Sequence, residues 1–305
     1  MQKERRKNKL TGLLRDWRLY LLMVPSLVYL IIFAYVPMYG VQIAFRNFSV
    51  RKGIWGSDWV GLEHFKRFLT YPNLKMLLFN TMGISLYGLA TFPCSIIFAL
   101  MINEVQNKKF KKSVQMISYI PHFLSTVVVC SMVTLFFNQR VGVVNAVIEL
   151  FGGTRIDFLT EANLFNDIYV WSGVWQGLGW GAIIYVAALA GVPAELIEAA
   201  RVDGATRLQV IRHVNIPHIM PTIVIQLIFS CGGILSVGYE KILLLQNDLN
   251  LSKSQVISTY TYEIGIEGGQ FSYSTAIGLF NTIVNVSILG IVNWIAKKVG
   301  ETSIW

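Results

Sequence analysis

Charged residues in this chain fall in clusters, and the stretches between the clusters are long and apolar. Six of them hold cores of membrane length: Leu19–Pro37, Met76–Ile102, Val114–Phe137, Ile168–Val192, Ile219–Gly238 and Ala276–Ala296. Each reaches or exceeds roughly 18 residues, the length at which a spanning helix is the default reading. Backbone groups in hydrocarbon must be satisfied internally, so only helices or closed barrels can span it. Uninterrupted apolar runs exclude the alternation of a barrel strand. The pattern predicts an all-α membrane protein with six transmembrane helices. It divides the chain into a segment 1–18, a first helix with its outer loop (19–75), a core (76–297) and a tail (298–305).

Polar residues inside this frame are few and placed at intervals that predict local structure. The longest polar island in the second half runs from Glu198 to Pro217. Charges at bilayer depth cost several kcal/mol each, so the island belongs at a membrane face. Ala199, Ala200 and Ala205 are strong helix formers and Gly204 is a natural turn residue. Two short surface helices about a turn near Asp203–Gly204 are expected, with Pro217 stopping what precedes it. Pro93 should kink the second helix, which is entered near Asn80-Thr81. Pro121 and His122 fall near the start of the third. Gly173, Gly177 and Gly181 recur every four residues on the fourth, a spacing that lets another helix approach closely. Gly232-Gly233 should unwind the far end of the fifth. Gly152-Gly153, and Gly265, Gly268 and Gly269, read as turns of the outer loops.

Composition and charge then fix class and orientation. The chain is 54% hydrophobic and only 14% charged, which excludes a disordered protein and points away from an ordinary soluble one. With the amino terminus, the 103–113 loop, the 193–218 loop and the tail on one side, that side carries the whole net charge of +9. It should be the cytoplasmic side of a multi-pass protein of the cell membrane, with both termini there. Arg5, Arg6, Lys7, Lys9, Arg15 and Arg18 are read as an orientation signal with secondary contact to anionic lipid. The first apolar run is too long for a signal peptide and lacks a small-residue cleavage site, so it is expected to be retained. Nucleic acid is rejected as a partner, because the basic residues obey the topology rule and no nucleic-acid motif appears. Cys94, Cys130 and Cys231 are scattered through predicted spans and offer neither a disulfide framework nor metal spacing.

The island carries a resemblance. Glu198-Ala199-Ala200, Gly204 and Pro217 stand at the spacing of the "EAA" motif of permease subunits in ATP-driven importers, with Val214 and Ile216 in place of the usual Ile and Leu. The chain thus resembles the permeases of binding-protein-dependent ABC importers. Residues 53–69 also look like the outer loop of the oligosaccharide permeases in the lipoprotein-linked, maltose-permease-like branch. The resemblance implies a type I importer fold and a loop (195–217) that docks on an ATPase subunit through Glu198, Ala199, Ala200, Asp203, Gly204 and Pro217. It implies a second homologous permease, an ATPase dimer that binds the ATP and magnesium, and an extracytoplasmic solute-binding protein. No cofactor is expected on this chain.

Chemistry missing from the sequence agrees with that expectation. No Gly-x-x-x-x-Gly-Lys-Ser/Thr stretch is present, and no H-E-x-x-H or G-x-S-x-G. A non-catalytic subunit follows. The predicted spans hold no carboxylate or lysine, the groups that ion-coupled carriers commonly use. Candidate pathway residues are the polar groups at the remaining intervals: Asn80, the aromatic–amide pair Trp175-Gln176, Tyr239, and Asn281 with Asn285 one helical turn apart. An aromatic ring beside an amide suits a sugar, whose C–H faces stack and whose hydroxyls bond. The first outer loop carries Arg46, Arg51, Lys52, Lys66, Arg67 and Lys75 against Asp58 and Glu63, with Trp55 and Trp59 among them. An aromatic belt with solvated charges accounts for it; the surplus of cations also favours an acidic, uronic-acid-containing oligosaccharide. Neutral sugars or peptides, or an ion-coupled secondary carrier, are the alternatives.

Overall fold

The computed structural model describes residues 17–300; the basic segment before Trp17 and the last five residues of the tail lie outside that range. The first apolar run forms α1 (Trp17–Leu30) and continues through a π turn at Ile31–Tyr35 to a 3₁₀ stretch ending at Phe45. Val36 N–H reaches back five residues to the Ile31 carbonyl, so the helix passes Pro37 without a break. No residue of α1 is buried. Its outer continuation, with Ala44 at 0% exposure, is the part that packs on the rest.

Arg46–Asn47 (β1) and Asp58–Trp59 (β2) pair antiparallel, Arg46 opposite Trp59, a two-residue ladder that the all-α expectation did not contain. Gly53–Gly56 forms a single helical turn, and α2 (Glu63–Leu69) follows. The second span is α3 (Leu74–Ala90) and α4 (Pro93–Glu104), interrupted at Thr91–Phe92. Pro93 opens the new helix, where its missing N–H costs nothing.

The third predicted span is not one straight helix. Basic α5 (Lys108–Tyr119) and a 3₁₀ turn through Pro121 and His122 meet α6 (Thr126–Phe136) at a bend of 102°. Ser125 caps the new helix by accepting from Val128 N–H. An apolar run with a proline and a capping serine in it can therefore hold two helices, and hydropathy alone does not see the corner. The second outer loop contains α7 (Val143–Leu150), also unanticipated, held by Asn145. That amide, 0% exposed, donates to the Asn138 and Ile156 carbonyls and accepts from Ile156 N–H.

The long central helix is α8 (Phe165–Leu189); it starts three residues earlier than the apolar run and so takes Asp167 into its first turn. There Asp167 accepts from the Tyr87 hydroxyl at 2.6 Å. After a bend of 78° come α9 (Ala194–Val202), α10 (Arg207–Val210) and α11 (Ile216–Gly232). Residues 233–238 are non-helical, as the paired glycines predict. The outer segment then holds α12 (Tyr239–Leu245) and α13 (Ile257–Tyr262), and α14 (Phe271–Gly300) is the last span. Gly269 supplies a turn at φ +65°, whereas Gly265 is buried in a π turn against Ser274, where a side chain has no room.

Among the described residues four helices are long and apolar enough to cross a membrane, and six spans result when each bent pair counts as one. Three apolar clusters hold them together. An outer one joins Ile84, Val129, Ile168 and Ile242; an inner one joins Ala99, Ala182, Tyr185 and Ile219; a third seats Phe68 and Leu77 against Tyr273 and Ile277. The α8 helix contributes to the first two and is the axis of the bundle. Large apolar side chains such as Leu22, Phe33, Phe79 and Trp294 stay exposed, the surface of a protein whose solvent is lipid.

Candidate functional site

Two features stand out, one beyond the inner end of the bundle and one within it. The first is the polar island. Pro193 precedes α9, Glu195 lies in its first turn and Arg201 in its last, charges that suit the helix dipole. The helix ends in a Schellman motif: Ala205 N–H donates to Ala200 O at 2.9 Å and Gly204 N–H to Arg201 O at 3.1 Å. The reversal needs Gly204 at φ +83°, a region that costs other residues about 1–2 kcal/mol. Thr206 then caps α10 in a capping box: its N–H donates to Gln209 Oε1 at 2.7 Å and its hydroxyl accepts from Gln209 N–H. Thr206 and Gln209 were missed at the sequence level, although Thr-x-x-Gln ahead of a helix is a recognisable signal.

Pro217 does not stop the helix before it. A π turn at Ile211–Asn215 sends Ile216 N–H to the Ile211 carbonyl, and Pro217 then sits in the first turn of α11. One extra residue in the turn absorbs the proline. The second half of the island, from Arg207, and the fifth span are therefore one continuous helical rod, Arg207–Gly232. None of α9 is buried. Glu198, Ala199 and Asp203 are exposed and Ala200 is half-buried. Leu196, Val202 (87% exposed) and Leu208 project beside them, each more than half exposed.

The second feature is a cavity of about 620 Å³ midway along the bundle. Ser85, Thr91 and Ser95 reach it from α3, α4 and the break between them; Gln176 and Gly177 from α8; Gln226 and Ser230 from α11. A side chain at Gly177 would meet nothing within 4 Å, so this glycine widens the cavity. Gly181, four residues on, faces the Ser95 hydroxyl, and Gly179, outside the expected stripe, lies against the Ser118 carbonyl. Close helix approach is thus the work of 179 and 181.

The structure separates the candidate pathway residues. Gln176 lines the cavity and donates to the Leu124 carbonyl at 3.2 Å, while Trp175 is turned away into apolar grooves beside Trp171 and Ile117. Neighbours on a helix are about 100° apart, so the two cannot share a site on one face. Asn80, 8% exposed, gives its amide hydrogens to the Ser252 and Gln255 carbonyls at 3.0 Å and is a brace to the outer segment. Asn285 accepts from Leu235 N–H and donates to Ser236 Oγ, so it holds the unwound end of the fifth span. Asn281 Oδ1 is buried without a partner, one turn away. Tyr239 stacks on Tyr262 at 5.1 Å. In the first outer loop Trp55 and Trp59 take Arg46 between them, at 5.8 and 5.5 Å, so both rings are already engaged. A cavity residue the sequence did not reveal is Lys241, which follows the fifth apolar run and reads there as an outer-loop cation.

With this geometry in place, likeness to known proteins is informative. Residues 91–301 match the model of the family described as "binding-protein-dependent transport system inner membrane component". Among curated proteins, the polygalacturonan/rhamnogalacturonan transport system permease protein YteP of Bacillus subtilis is 42% identical over all of this chain and 95% of its own. Protein LplB of the same organism is 41% identical over 97% of this chain and 93% of its own. Among solved structures, a chain of a bacterial ABC transporter involved in the import of the acidic polysaccharide alginate superposes with a TM-score of 0.88 at 37% identity. That match covers 96% of this chain and 99% of the other. The same transporter is also known in complex with an alginate pentasaccharide-bound periplasmic protein, with the same similarity to this chain.

Proposed function

The chain belongs to the family of binding-protein-dependent transport system inner membrane components, carbohydrate ABC importer permeases, and on that premise we propose that it imports an acidic, uronic-acid-containing oligosaccharide. In this reading an extracytoplasmic solute-binding protein delivers the sugar, and a second, homologous permease completes the pathway. An ATPase pair on the cytoplasmic side binds and hydrolyses ATP, and this chain does no chemistry.

The observation that carries the reading is the rod Arg207–Gly232, which joins an exposed helical reversal to the wall of the cavity. A partner that grips Glu198, Ala199 and Ala200, with the turn at Asp203-Gly204, can move the cavity wall through one stiff element. Pro217 keeps a role as the residue around which the rod is offset. Small Ala side chains permit close approach of a partner backbone, and Leu196, Val202 and Leu208 offer apolar area worth about 25 cal/mol per Å² covered. A relative named for polygalacturonan/rhamnogalacturonan and a neighbour involved in the import of alginate support the acidic sugar. Of the polar candidates, Gln176 retains direct contact with the path; Trp175, Asn80, Tyr239, Asn281 and Asn285 would act by shaping its walls.

The test is uptake into vesicles holding the complete importer. Glu198→Arg and Gly204→Pro should each lower ATP-driven uptake more than ten-fold while the chain still inserts and still pairs with the second permease. Normal transport in both variants removes the docking role. Uptake driven by an ion gradient without ATP would replace the reading with that of a secondary carrier.

A further inference from the structure

The cavity has an ammonium in its wall. Lys241, in α12, lines it among side chains that are otherwise neutral, with Ser85, Ser95, Gln176, Gln226 and Ser230 supplying hydroxyls and amides. Its Nζ donates to the Tyr169 carbonyl at 2.8 Å and lies 4.6 Å from the centre of the Tyr169 ring. It also stands over Gly173, where an added side chain would approach the nitrogen to 3.3 Å. An ammonium has three hydrogens to give, and one protein acceptor uses one of them. Among the described residues no carboxylate forms an ion pair with it. A half-buried cation without a counter-ion is costly, and an arriving anion recovers that cost.

We propose that Lys241 is the charge-selecting residue of the cavity, donating to the carboxylate of each uronic-acid unit that passes. The inference rests on the acidic-oligosaccharide reading and locates its selectivity. Tyr169 and Gly173 position the group: the carbonyl anchors it, the ring lies against it, and the missing side chain leaves it room to swing along the path. A cation held by one carbonyl can exchange one carboxylate for the next, as a passage site must. Neutral sugars would bond to the amides and hydroxyls alone and gain nothing from the ammonium.

The experiment uses the complete importer in vesicles with two probes, a uronic-acid trisaccharide and the same trisaccharide with its carboxylates reduced to alcohols. Lys241→Gln should lower uptake of the charged probe roughly ten- to hundred-fold, the worth of a charge-assisted bond, and leave the reduced probe unchanged. Lys241→Arg should restore part of the preference. The solute-binding protein is unaltered, so its affinity for both probes stays constant and the change belongs to the membrane step. Equal losses for both probes would make Lys241 a structural tie between α12 and α8 and overturn the proposal. An unchanged ratio in Lys241→Gln, with the charged probe carried by wild type, overturns it as well but leaves the acidic-substrate reading standing. Wild type that carries the reduced probe alone removes both.

Discussion

At the scale of the residue, the decisive question for each polar group is whether the fold has already used it. Asn285 is used twice, by Leu235 N–H and by the Ser236 hydroxyl. Asn285→Ala should therefore lower the stability of the purified chain by about 1–3 kcal/mol, the cost of a donor left unpaired, read as a fall in melting temperature in detergent. The glycines divide in the same way. Gly179→Ala would drive a methyl into the Ser118 carbonyl and should destabilise the bundle, whereas Gly177→Ala enters open space and should leave melting unchanged. If the two variants melt alike, the division between packing and cavity glycines is wrong. The sequence reading selected Asn285 and the 173/177/181 stripe from spacing alone. It could not tell an amide that braces backbone from one that faces a cavity, because both demand the same residue type on the inward face. Lys241 escaped for a related reason: charge-based topology places a lysine after an apolar run in a loop, and only the fold shows α12 turning back against α8.

At the scale of the element, the polar island was legible almost entirely. Alanines, a glycine and the flanking apolar lengths predict two helices about Asp203–Gly204, and α9 and α10 lie there. What failed was the proline rule. Pro217 ends a helix only if the hydrogen bonds cannot be rearranged, and the π turn rearranges them. The corner at Pro121–Ser125 shows the converse, a proline followed by a capping serine where the chain does turn. Thr206→Ala should cost the island about 1 kcal/mol through loss of its cap, seen as faster amide exchange over Arg207–Val210. At the end of α7 Glu149 is gripped by the Arg155 guanidinium, from the stretch that follows the helix, with two bonds at 2.7 and 2.8 Å that hold the carboxyl below its ordinary value. Its contribution is present above the free-carboxylate value of about 4.3 and is lost as pH falls through the lowered one. Amide protection in α7 should drop on acidification in the wild type, and Arg155→Ala should abolish that dependence.

At the scale of the whole molecule, the hydrophobic pattern determined class and, with each bent pair counted as one, the number of spans, since lipid imposes length and polarity directly; it did not place their ends. It could not say which apolar faces meet protein and which meet lipid. The α1 helix illustrates the gap: as apolar as any span, it buries nothing in this chain. Replacing Leu21, Leu22 and Phe33 together by Ala should leave the melting temperature of the isolated chain where it is, since all three are exposed. A clear fall would mean that α1 packs on the bundle after all. The π turn between island and membrane has a consequence of another kind. Each α-helical residue advances the chain by about 100° around the axis, so the surplus residue sets the compass bearing of the reversal relative to the cavity. Excising one residue from Ile211–Asn215 would let ordinary α spacing return and swing Glu198 about a quarter-turn off its heading, leaving, on the proposed reading, a well-folded lever that points past its motor.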